Sequence, residues 1–184
     1  MKKNYPLLSV CLLALPFQGY AQKKANEAKP NILFICVDDL RRELGAYGSV
    51  VKTPNIDRLA LEGMRYTNFY AAQPISGASR AGLLTGCYPN RIGFAHAPNP
   101  GCPYGISDEE ETIAEVLKKR DYATAIFGKW HLGDAKKFLP LQHGFDEWYG
   151  LPYSNDMWPY HPKWKFPDLP TYEGNAVSYT HLRA

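Results

Sequence analysis

The stretch NILFICVDD, residues 31 to 39, decides the predicted fold. Its continuous apolar run contains β-branched residues and is typical of a strand buried on both faces of a parallel sheet. Cys36 lies inside this run and is expected to be a small buried hydrophobe. The run ends abruptly in Asp38 and Asp39. Because ligands bind at the carboxyl ends of strands in such sheets, the two acids are candidates for a functional site.

Helix and strand patterns alternate along the rest of the chain. Thr53 is a candidate N-cap, Pro54 suits the first helical position, and Gly63 ends the helix that they open. The remaining predicted elements, in order, are a strand at 65–72, a loop at 74–80, a short helix at 81–85, a Pro/Gly-rich loop at 94–106, a helix at 107–120 and a strand at 122–128. This order predicts an α/β fold with a largely parallel sheet.

The composition is that of a soluble globular protein with room for one domain. The chain has 184 residues, of which 45% are apolar and 21% charged. Lys and Arg total 21 against 18 Asp and Glu, too small an excess to indicate nucleic-acid binding. Aromatic residues cluster in DEWYGLPYSNDMWPYHPKWKF, residues 146 to 166, which suits either a carbohydrate-binding face or a buried corner of the core. Cys87 and Cys102 could pair in an oxidising compartment, and the sequence leaves that pairing open.

Residues 1–21 have the pattern of an export signal. Two lysines precede an apolar stretch that is too short to span a bilayer, and Ala21 suits a cleavage site. A lipoprotein is the weaker alternative, because the residue before Cys11 is bulky and the cysteine lies inside the apolar stretch. Residues 22–29 are polar and are expected to form a flexible lead-in. The chain is therefore predicted to be periplasmic or secreted, without a membrane span.

The adjacent acids at the predicted strand end raise the question of a metal site. Neighbouring carboxylates repel each other unless a cation lies between them, and Ca²⁺ or Mg²⁺ would accept both as oxygen ligands. On this pair alone the simpler interpretation is favoured, in which Asp39 caps the next segment and Asp38 faces solvent. A divalent cation would also need ligands from elsewhere, since two carboxylates cannot fill a shell of about six oxygens.

Two further polar clusters fall at or near the ends of predicted strands. Lys129 and His131 flank Trp130 between two glycines, and alternate side chains of an extended turn point the same way. They combine a fixed cation with a group that moves protons near neutral pH. Ser76 and Arg80 precede the predicted short helix, where Arg80 adds a bidentate anion donor beside free backbone N–H groups. Together with a metal cation, these groups indicate transfer of a phosphoryl or sulfuryl group.

These clusters lie in segments that resemble the signatures of type I sulfatases, the formylglycine-dependent, arylsulfatase A-like family. SGASRAGLLTG followed by CYPNRIG, residues 76 to 93, looks like the first signature in its serine form. DYATAIFGKWHLG, residues 121 to 133, is similar to the second. KPNILFICVDDL, TPNIDRLALEG and HGFDEWYGLPYSND match the family's order, so the resemblance runs from Lys29 to Asp156. It implies an alkaline-phosphatase-like α/β sandwich and hydrolysis of sulfate esters.

The resemblance implies a modified nucleophile at Ser76. The family uses formylglycine, an oxidised Cys or Ser, as the aldehyde hydrate, and Arg80 would hold this hydrate. An unmodified serine would be trapped as a stable sulfate ester, whereas deprotonation of the hydrate's second hydroxyl expels sulfate. Serine rather than cysteine implies, within this family, an anaerobic radical sulfatase-maturating enzyme as partner. Ala78 departs from the commoner Pro of the signature.

The resemblance also implies roles for the other clusters. Asp38 and Asp39 would bind Ca²⁺ (or Mg²⁺), with the oxygen at residue 76 as a further ligand. Lys129 would be catalytic and contact the sulfate, and Ser154 matches a position that contacts the hydrate or the sulfate. His131 would take the proton of the second hydroxyl.

The family pattern extends beyond what the sequence contains. The family's later Asp-Asn metal ligands, second His, second Lys and smaller C-terminal domain have no counterpart here. Residues 30–177 are therefore interpreted as the N-terminal part of a truncated catalytic domain, expected to be inactive alone. Residues 178–184 match nothing expected and form a doubtful tail, and Cys87 stands where Arg is common.

Two other functions are weighed against a sulfatase. One is a phosphoesterase of the same superfamily that acts through unmodified Ser76, and the other is a non-catalytic glycan-binding relative. The phosphoesterase is disfavoured because such members usually lack the SRAGLLTG and GKWHLG contexts. Within the sulfatase interpretation, sulfated carbohydrates and small aryl sulfates are both candidate substrates.

Overall fold

The computed structural model describes residues 29–179. The predicted signal peptide, most of the lead-in and residues 180–184 of the tail lie outside the described residues. The helices are α1 (Pro54–Glu62), α2 (Ser76–Thr85) and α3 (Ile113–Lys118), with 3-10 segments at Gly45–Tyr47, Lys136–Phe138 and Pro140–Gln142. The strands are β1 (Ala125–Lys129), β2 (Glu147–Leu151), β3 (Thr171–Glu173) and β4 (Ala176–Tyr179).

The apolar run at 31–37 is not a strand. The chain divides into two units after Val37, and the described part of the first unit is residues 29–37. This segment has no helix or strand, and its apolar side chains are exposed, with Leu33 at 85%. Cys36 is exposed, so its predicted burial is also wrong. Apolar character makes a segment fit for a buried strand, but a strand forms only with a hydrogen-bonded neighbour, and the described sheet is built from four other segments.

The sheet is mixed, with strand order β1-β2-β3-β4. β1 pairs with β2 in parallel, in the register Ala125↔Glu147 to Lys129↔Leu151, and the other two pairings are antiparallel. The strand predicted at 122–128 is thus confirmed as β1 with shifted ends. Gly150 lies opposite Gly128, and a Cβ atom on Gly150 would be 1.9 Å from the Gly128 carbonyl oxygen. The two strands therefore approach too closely at this point for a side chain on Gly150.

The backbone pairing of β1 continues beyond its last residue. The Trp130 N–H donates to the Leu151 carbonyl (2.9 Å), and the His131 N–H donates to the Pro152 carbonyl (3.0 Å). These bonds bring the turn after β1 alongside the turn after β2. The carboxyl ends of the two parallel strands, where the sequence predicts a site, are therefore adjacent.

Two of the three helices begin at positions other than those predicted. α1 begins at Pro54 as expected, whereas α2 begins at Ser76 and includes the segment predicted as a loop. The small residues of this first turn allow tight packing, since Ala78 is completely buried. α3 begins only at Ile113, because Thr112 and Glu115 form a capping box that fixes its start. The acids that precede the cap lie outside the helix.

Two other expectations about the chain are settled by the structure. The strand predicted at 65–72 is wrong, because this segment contains no regular element. The aromatic side chains of residues 65–72 are exposed, with Tyr70 at 82%, so the high β-propensity of the segment is not accompanied by the burial that stabilises a strand. Cys87 and Cys102 are free thiols, so the pairing left open by the sequence is not made.

The core of the described residues is one cluster of buried side chains that includes members from α2 and from the sheet region. It consists of buried side chains from the helix, the loop at 94–106 and the region of β1 and β2: Ala81, Phe94, Ile106, Trp130, Leu132, Leu139 and Trp148. Trp130 is fully buried, and its indole N–H donates to the Phe138 carbonyl at 2.7 Å. Because this ring is anchored in the core, the residues on either side of it are held in place.

Candidate active site

Ser76, the first residue of α2, lies at the centre of a polar cluster. One helical turn later, Arg80 returns towards it, and its Nη1 donates to the Ser76 Oγ at 2.7 Å. The Ser76 Oγ also lies 3.3 Å from the His131 Nδ1 and 3.4 Å from the Asp38 Oδ2. The serine oxygen therefore faces a cation, an imidazole and a carboxylate within hydrogen-bonding distance.

Asp38 is paired with two cations. Its Oδ1 accepts from the Arg80 Nη1 at 3.2 Å, and its Oδ2 accepts from the Lys129 Nζ at 2.8 Å. The cationic side chains are well covered, at 13% and 16% exposure, whereas the Asp38 side chain is 44% exposed. Partial burial alone would raise the pKa of Asp38, but the Lys129 and Arg80 hydrogen bonds outweigh it and lower the pKa to about 2. Asp38 is thus a carboxylate at neutral pH.

Lys129 connects this group to the turn after β2. Its Nζ donates to the Ser154 Oγ at 3.1 Å in addition to its bond with Asp38. Lys129 is the last residue of β1, and its register partner Leu151 ends β2 three residues before Ser154. An ammonium group and a hydroxyl donor therefore lie side by side at the carboxyl ends of the parallel strands.

His131 is held in one tautomer when neutral. Its Nε2 lies 3.2 Å from the Pro98 carbonyl oxygen, which can only accept a hydrogen bond. The proton of the neutral ring is therefore on Nε2, and the Nδ1 lone pair faces the Ser76 Oγ. Burial lowers the pKa of His131 to about 4, and the nearby Lys129 charge adds to this effect. The ring is neutral at pH 7 and able to accept a proton from residue 76.

Gly77 allows the loop that carries Pro98 to approach α2. A Cβ atom on Gly77 would lie 2.7 Å from the His96 carbonyl oxygen and 2.9 Å from the His131 carbonyl oxygen. Both neighbours are backbone atoms, so residue 77 has no room for a side chain. The glycine thereby lets helix α2, the 96–98 backbone and His131 meet around Ser76.

Asp39 stands apart from the cluster. It is exposed and adopts a left-handed backbone conformation, with φ of 54°. Within residues 29–179, no hydrogen bond or ion pair links its carboxylate to the cluster, and no group of three or more His, Cys, Asp or Glu side chains is arranged to hold a metal ion. The roles predicted for Asp38 and Asp39 as metal ligands therefore stay predictions.

The structure brings most of the predicted site residues together and adds two that the sequence analysis missed. One connected group contains Asp38, Ser76, Arg80, Lys129, His131 and Ser154. Pro98 was missed because it acts through its backbone carbonyl, a group that every residue has and that the residue type therefore cannot indicate. Gly77 was missed because its packing role depends on a loop that is close in space but not in sequence.

Comparison with known proteins relates this arrangement to one family. Residues 30–175 match the family model described as Sulfatase. The chain is 47% identical over 153 residues to N-acetylgalactosamine-6-sulfatase of Homo sapiens, covering 78% of this chain and 29% of that protein. It is 43% identical over 155 residues to arylsulfatase A of Bos taurus, covering 82% of this chain and 31% of that protein. The crystal structure of Ps i-CgsB in complex with k-i-k-neocarrahexaose matches with a TM-score of 0.62 and 33% identity over 76% of this chain and 35% of that chain.

The chain belongs to the sulfatase family, because the family model matches most of its length. The expected alkaline-phosphatase-like α/β fold is confirmed by the structural match and by the mixed, partly parallel sheet. The chain spans about three-tenths of the length of the curated relatives that it matches. Across the described part of the chain, none of the helices has the length and apolar character needed to cross a bilayer.

Proposed function

We propose that this chain carries the nucleophile side of a sulfatase site that hydrolyses sulfate esters through a formylglycine made from Ser76. The observation that carries the proposal is the environment of the Ser76 Oγ, which faces Arg80, His131 and the Lys129–Asp38 pair. Membership of the sulfatase family supports the reaction class. A site of this kind needs a nucleophilic oxygen, cations for the sulfate oxygens and a group that accepts a proton.

The conversion of Ser76 is a two-electron oxidation. The side chain changes from CH₂OH to CHO, losing two hydrogens, and the electrons pass to the maturating enzyme that serves as oxidant. The aldehyde hydrate would supply two hydroxyl groups on one carbon, one to attack sulfur and one to release sulfate when deprotonated. We propose an anaerobic radical maturating enzyme as the partner, because residue 76 is a serine in a signature of the sulfatase type.

The surrounding residues have distinct tasks in this proposal. Arg80 donates to the oxygen on residue 76 and stabilises negative charge there. The free Nδ1 of His131 takes the proton from residue 76, and its lowered pKa keeps it unprotonated at neutral pH. Lys129 and Ser154 lie together and present donors to the sulfate oxygens.

The donor atoms fit a hard divalent cation in kind but not in number. Asp38, Asp39 and the oxygen on residue 76 are oxygen donors, which Ca²⁺ and Mg²⁺ prefer, and Ca²⁺ takes six to eight of them. These residues would therefore hold part of the shell. When bound, the cation would lower the pKa of the hydroxyl on residue 76 and stabilise negative charge in the transition state.

We propose sulfated carbohydrate as the substrate class and an exported location. The names of the similar proteins support a sugar substrate: one curated relative is an N-acetylgalactosamine-6-sulfatase, and one related structure is Ps i-CgsB in complex with k-i-k-neocarrahexaose. The signal-like pattern at residues 1–21 supports a periplasmic or secreted protein. Residues 30–177 would be the sulfatase catalytic part, with residues 178–184 outside it. We also propose that this part binds substrate but has no turnover alone.

Sulfate binding by the cluster can be tested without turnover. The chain is titrated with p-nitrophenyl sulfate in the presence of Ca²⁺, and binding is followed by calorimetry. We expect Lys129→Met to weaken binding at least about tenfold, because a covered charge partner of the anion is lost. Lys52→Met, which removes an exposed lysine elsewhere, is the matched control and should bind like wild type. Equal binding by both variants would show that the sulfate is not held by this cluster.

A further inference from the structure

The turn that carries Ser154 opens into a loop closed at its base. The Tyr153 hydroxyl donates to the Asp168 carbonyl at 3.1 Å. Tyr153 and Leu169 are both buried, at 4% and 5% exposure, so the two ends of the loop are anchored in the protein. Residues 154–167, here called the aromatic loop, lie between these anchors. Compact surface loops of this size with close ends are frequently functional.

The aromatic loop is packed by its own rings. Trp158 and Tyr160 are in contact, with ring centroids 5.3 Å apart, and His161 stacks on Trp164 at 4.9 Å with an interplanar angle of 19°. Phe166 packs edge-on against both His161 and Trp164. The His161 Nδ1 also accepts from the backbone N–H groups of residues 163 and 164. The Trp164 ring is therefore held in position although it lies on the surface.

The loop presents flat rings and cations to solvent together. Tyr160 is 79% exposed and Trp164 is 62% exposed. Lys163 and Lys165 flank Trp164, are exposed, and make no ion pair with any residue that the structure describes. Trp164 differs from exposed aromatic residues elsewhere in the chain, such as Tyr88, because the neighbouring rings hold it in position and two lysines adjoin it. A fixed, exposed ring with a polar group at one end suits contact with a partner. An anionic partner would suit this surface, because Lys163 and Lys165 adjoin the central ring and outnumber the one acid of the loop, Asp156.

We propose that the aromatic loop binds the sugar rings of a sulfated glycan next to the scissile ester. Tyr160 and Trp164 would stack on sugar faces, while Lys163 and Lys165 would pair with sulfate groups that are not being hydrolysed. The loop begins at Ser154, which contacts Lys129 in the cluster, so the bound chain extends directly from the site. This inference rests on the proposed sulfatase function for its choice of ligand. It predicts tighter binding of sulfated oligosaccharides than of small aryl sulfates, because only an oligosaccharide has further sugar rings and sulfate groups for the loop to bind.

The test measures binding rather than hydrolysis, so it does not depend on conversion of Ser76. The unconverted chain is titrated with a chondroitin-6-sulfate hexasaccharide, with the desulfated hexasaccharide, and with phosphatidylcholine–phosphatidylserine vesicles. We expect Trp164→Ala to weaken hexasaccharide binding about tenfold, as for an interface anchor, and Trp164→Phe to retain most of the affinity. Tyr88→Ala, an exposed aromatic outside the loop at 74% exposure, should bind like wild type.

The lysines are tested by a double variant, Lys163→Gln with Lys165→Gln. We expect it to lower affinity for the sulfated hexasaccharide by a larger factor than affinity for the desulfated form, which keeps only its uronate carboxylates as anionic groups. Far-UV circular dichroism confirms that each variant remains folded. The inference is overturned if the wild-type chain does not bind the hexasaccharide, if the loop variants bind as wild type does, or if only vesicles bind through Trp164. Loop-dependent binding by a chain whose Ser76 resists conversion would contradict the sulfatase proposal and leave glycan binding intact.

Discussion

Replacing Gly77 with alanine should separate steric fit at the site from helix propensity. Alanine is favoured over glycine within a helix by about 1 kcal/mol, so propensity alone predicts a stabilised protein. In this structure the new Cβ would lie 2.7 Å from the His96 carbonyl oxygen and 3.0 Å from the Ala97 Cα. Backbone atoms cannot swing aside, so the overpacking penalty falls near the upper end of the usual range, about 3 kcal/mol. The expected net effect is a loss of about 2 kcal/mol in the free energy of unfolding.

Gly82→Ala in the same helix is the matched control. Its Cβ would lie 3.1 Å from the Ala72 Cβ and 3.3 Å from the Cys87 carbonyl oxygen, which is crowded but tolerable. We expect the gain in helix propensity to offset this crowding, leaving stability within about 0.5 kcal/mol of wild type. Urea unfolding followed by circular dichroism measures both variants. If Gly77→Ala proves as stable as Gly82→Ala, the close approach of the 96–98 backbone to α2 is refuted.

Three further predictions follow from the charges and hydrogen bonds. Without added Ca²⁺, Asp38→Asn should raise affinity for p-nitrophenyl sulfate, because the Lys129 and Arg80 charges would no longer be neutralised by the Asp38 carboxylate. Weaker binding of the variant in calorimetry would contradict this prediction. Thr112→Ala should lower the free energy of unfolding by about 1–3 kcal/mol in urea, because the buried hydroxyl caps α3 and donates to the His143 carbonyl, and Thr112→Ser should restore most of it. Burial lowers the pKa of His143 from 6.5, so the unfolded chain binds more protons at acid pH. The contribution of neutral His143 to stability should be full above pH 6.5 and should be lost as pH falls towards the pKa of His143 in the folded protein. In the His143→Phe variant, the free energy of unfolding should therefore fall less steeply as pH is lowered.

The parts of the fold that could be predicted depend on local signals. Pro54 and Gly63 mark the ends of α1, and the apolar residues before Lys129 mark β1. The segments at 31–37 and 65–72 carry equally good strand composition but are not strands. Strand formation requires a paired neighbour, and composition contains no information about which segment supplies it.

The site residues that act through their side chains could be predicted from the sequence. The Ser76–Arg80 pair and the Lys129–His131 pair could be found as polar clusters between small residues, and the structure joins them around one oxygen. The Pro98 carbonyl could not be found, because every residue has one and only tertiary packing selects it. The start of α2 was missed because Ser76 and its small neighbours suit a loop as well as a helix. Burial of this turn against the rest of the protein, rather than the helix propensity of its residues, makes it helical.

The central claim is that Ser76 is converted to formylglycine, and peptide mass spectrometry across residue 76 tests it most directly. The chain is co-expressed with an anaerobic radical maturating enzyme, and a known substrate peptide serves as positive control. Ser79, in the same peptide, is an internal control that should remain unmodified. The account predicts a mass lower by two hydrogens at Ser76 and no such change in Ser76→Ala. An unchanged Ser76 beside a fully converted control peptide would contradict it, and would favour a phosphoesterase with an unmodified serine or a glycan-binding protein without catalysis.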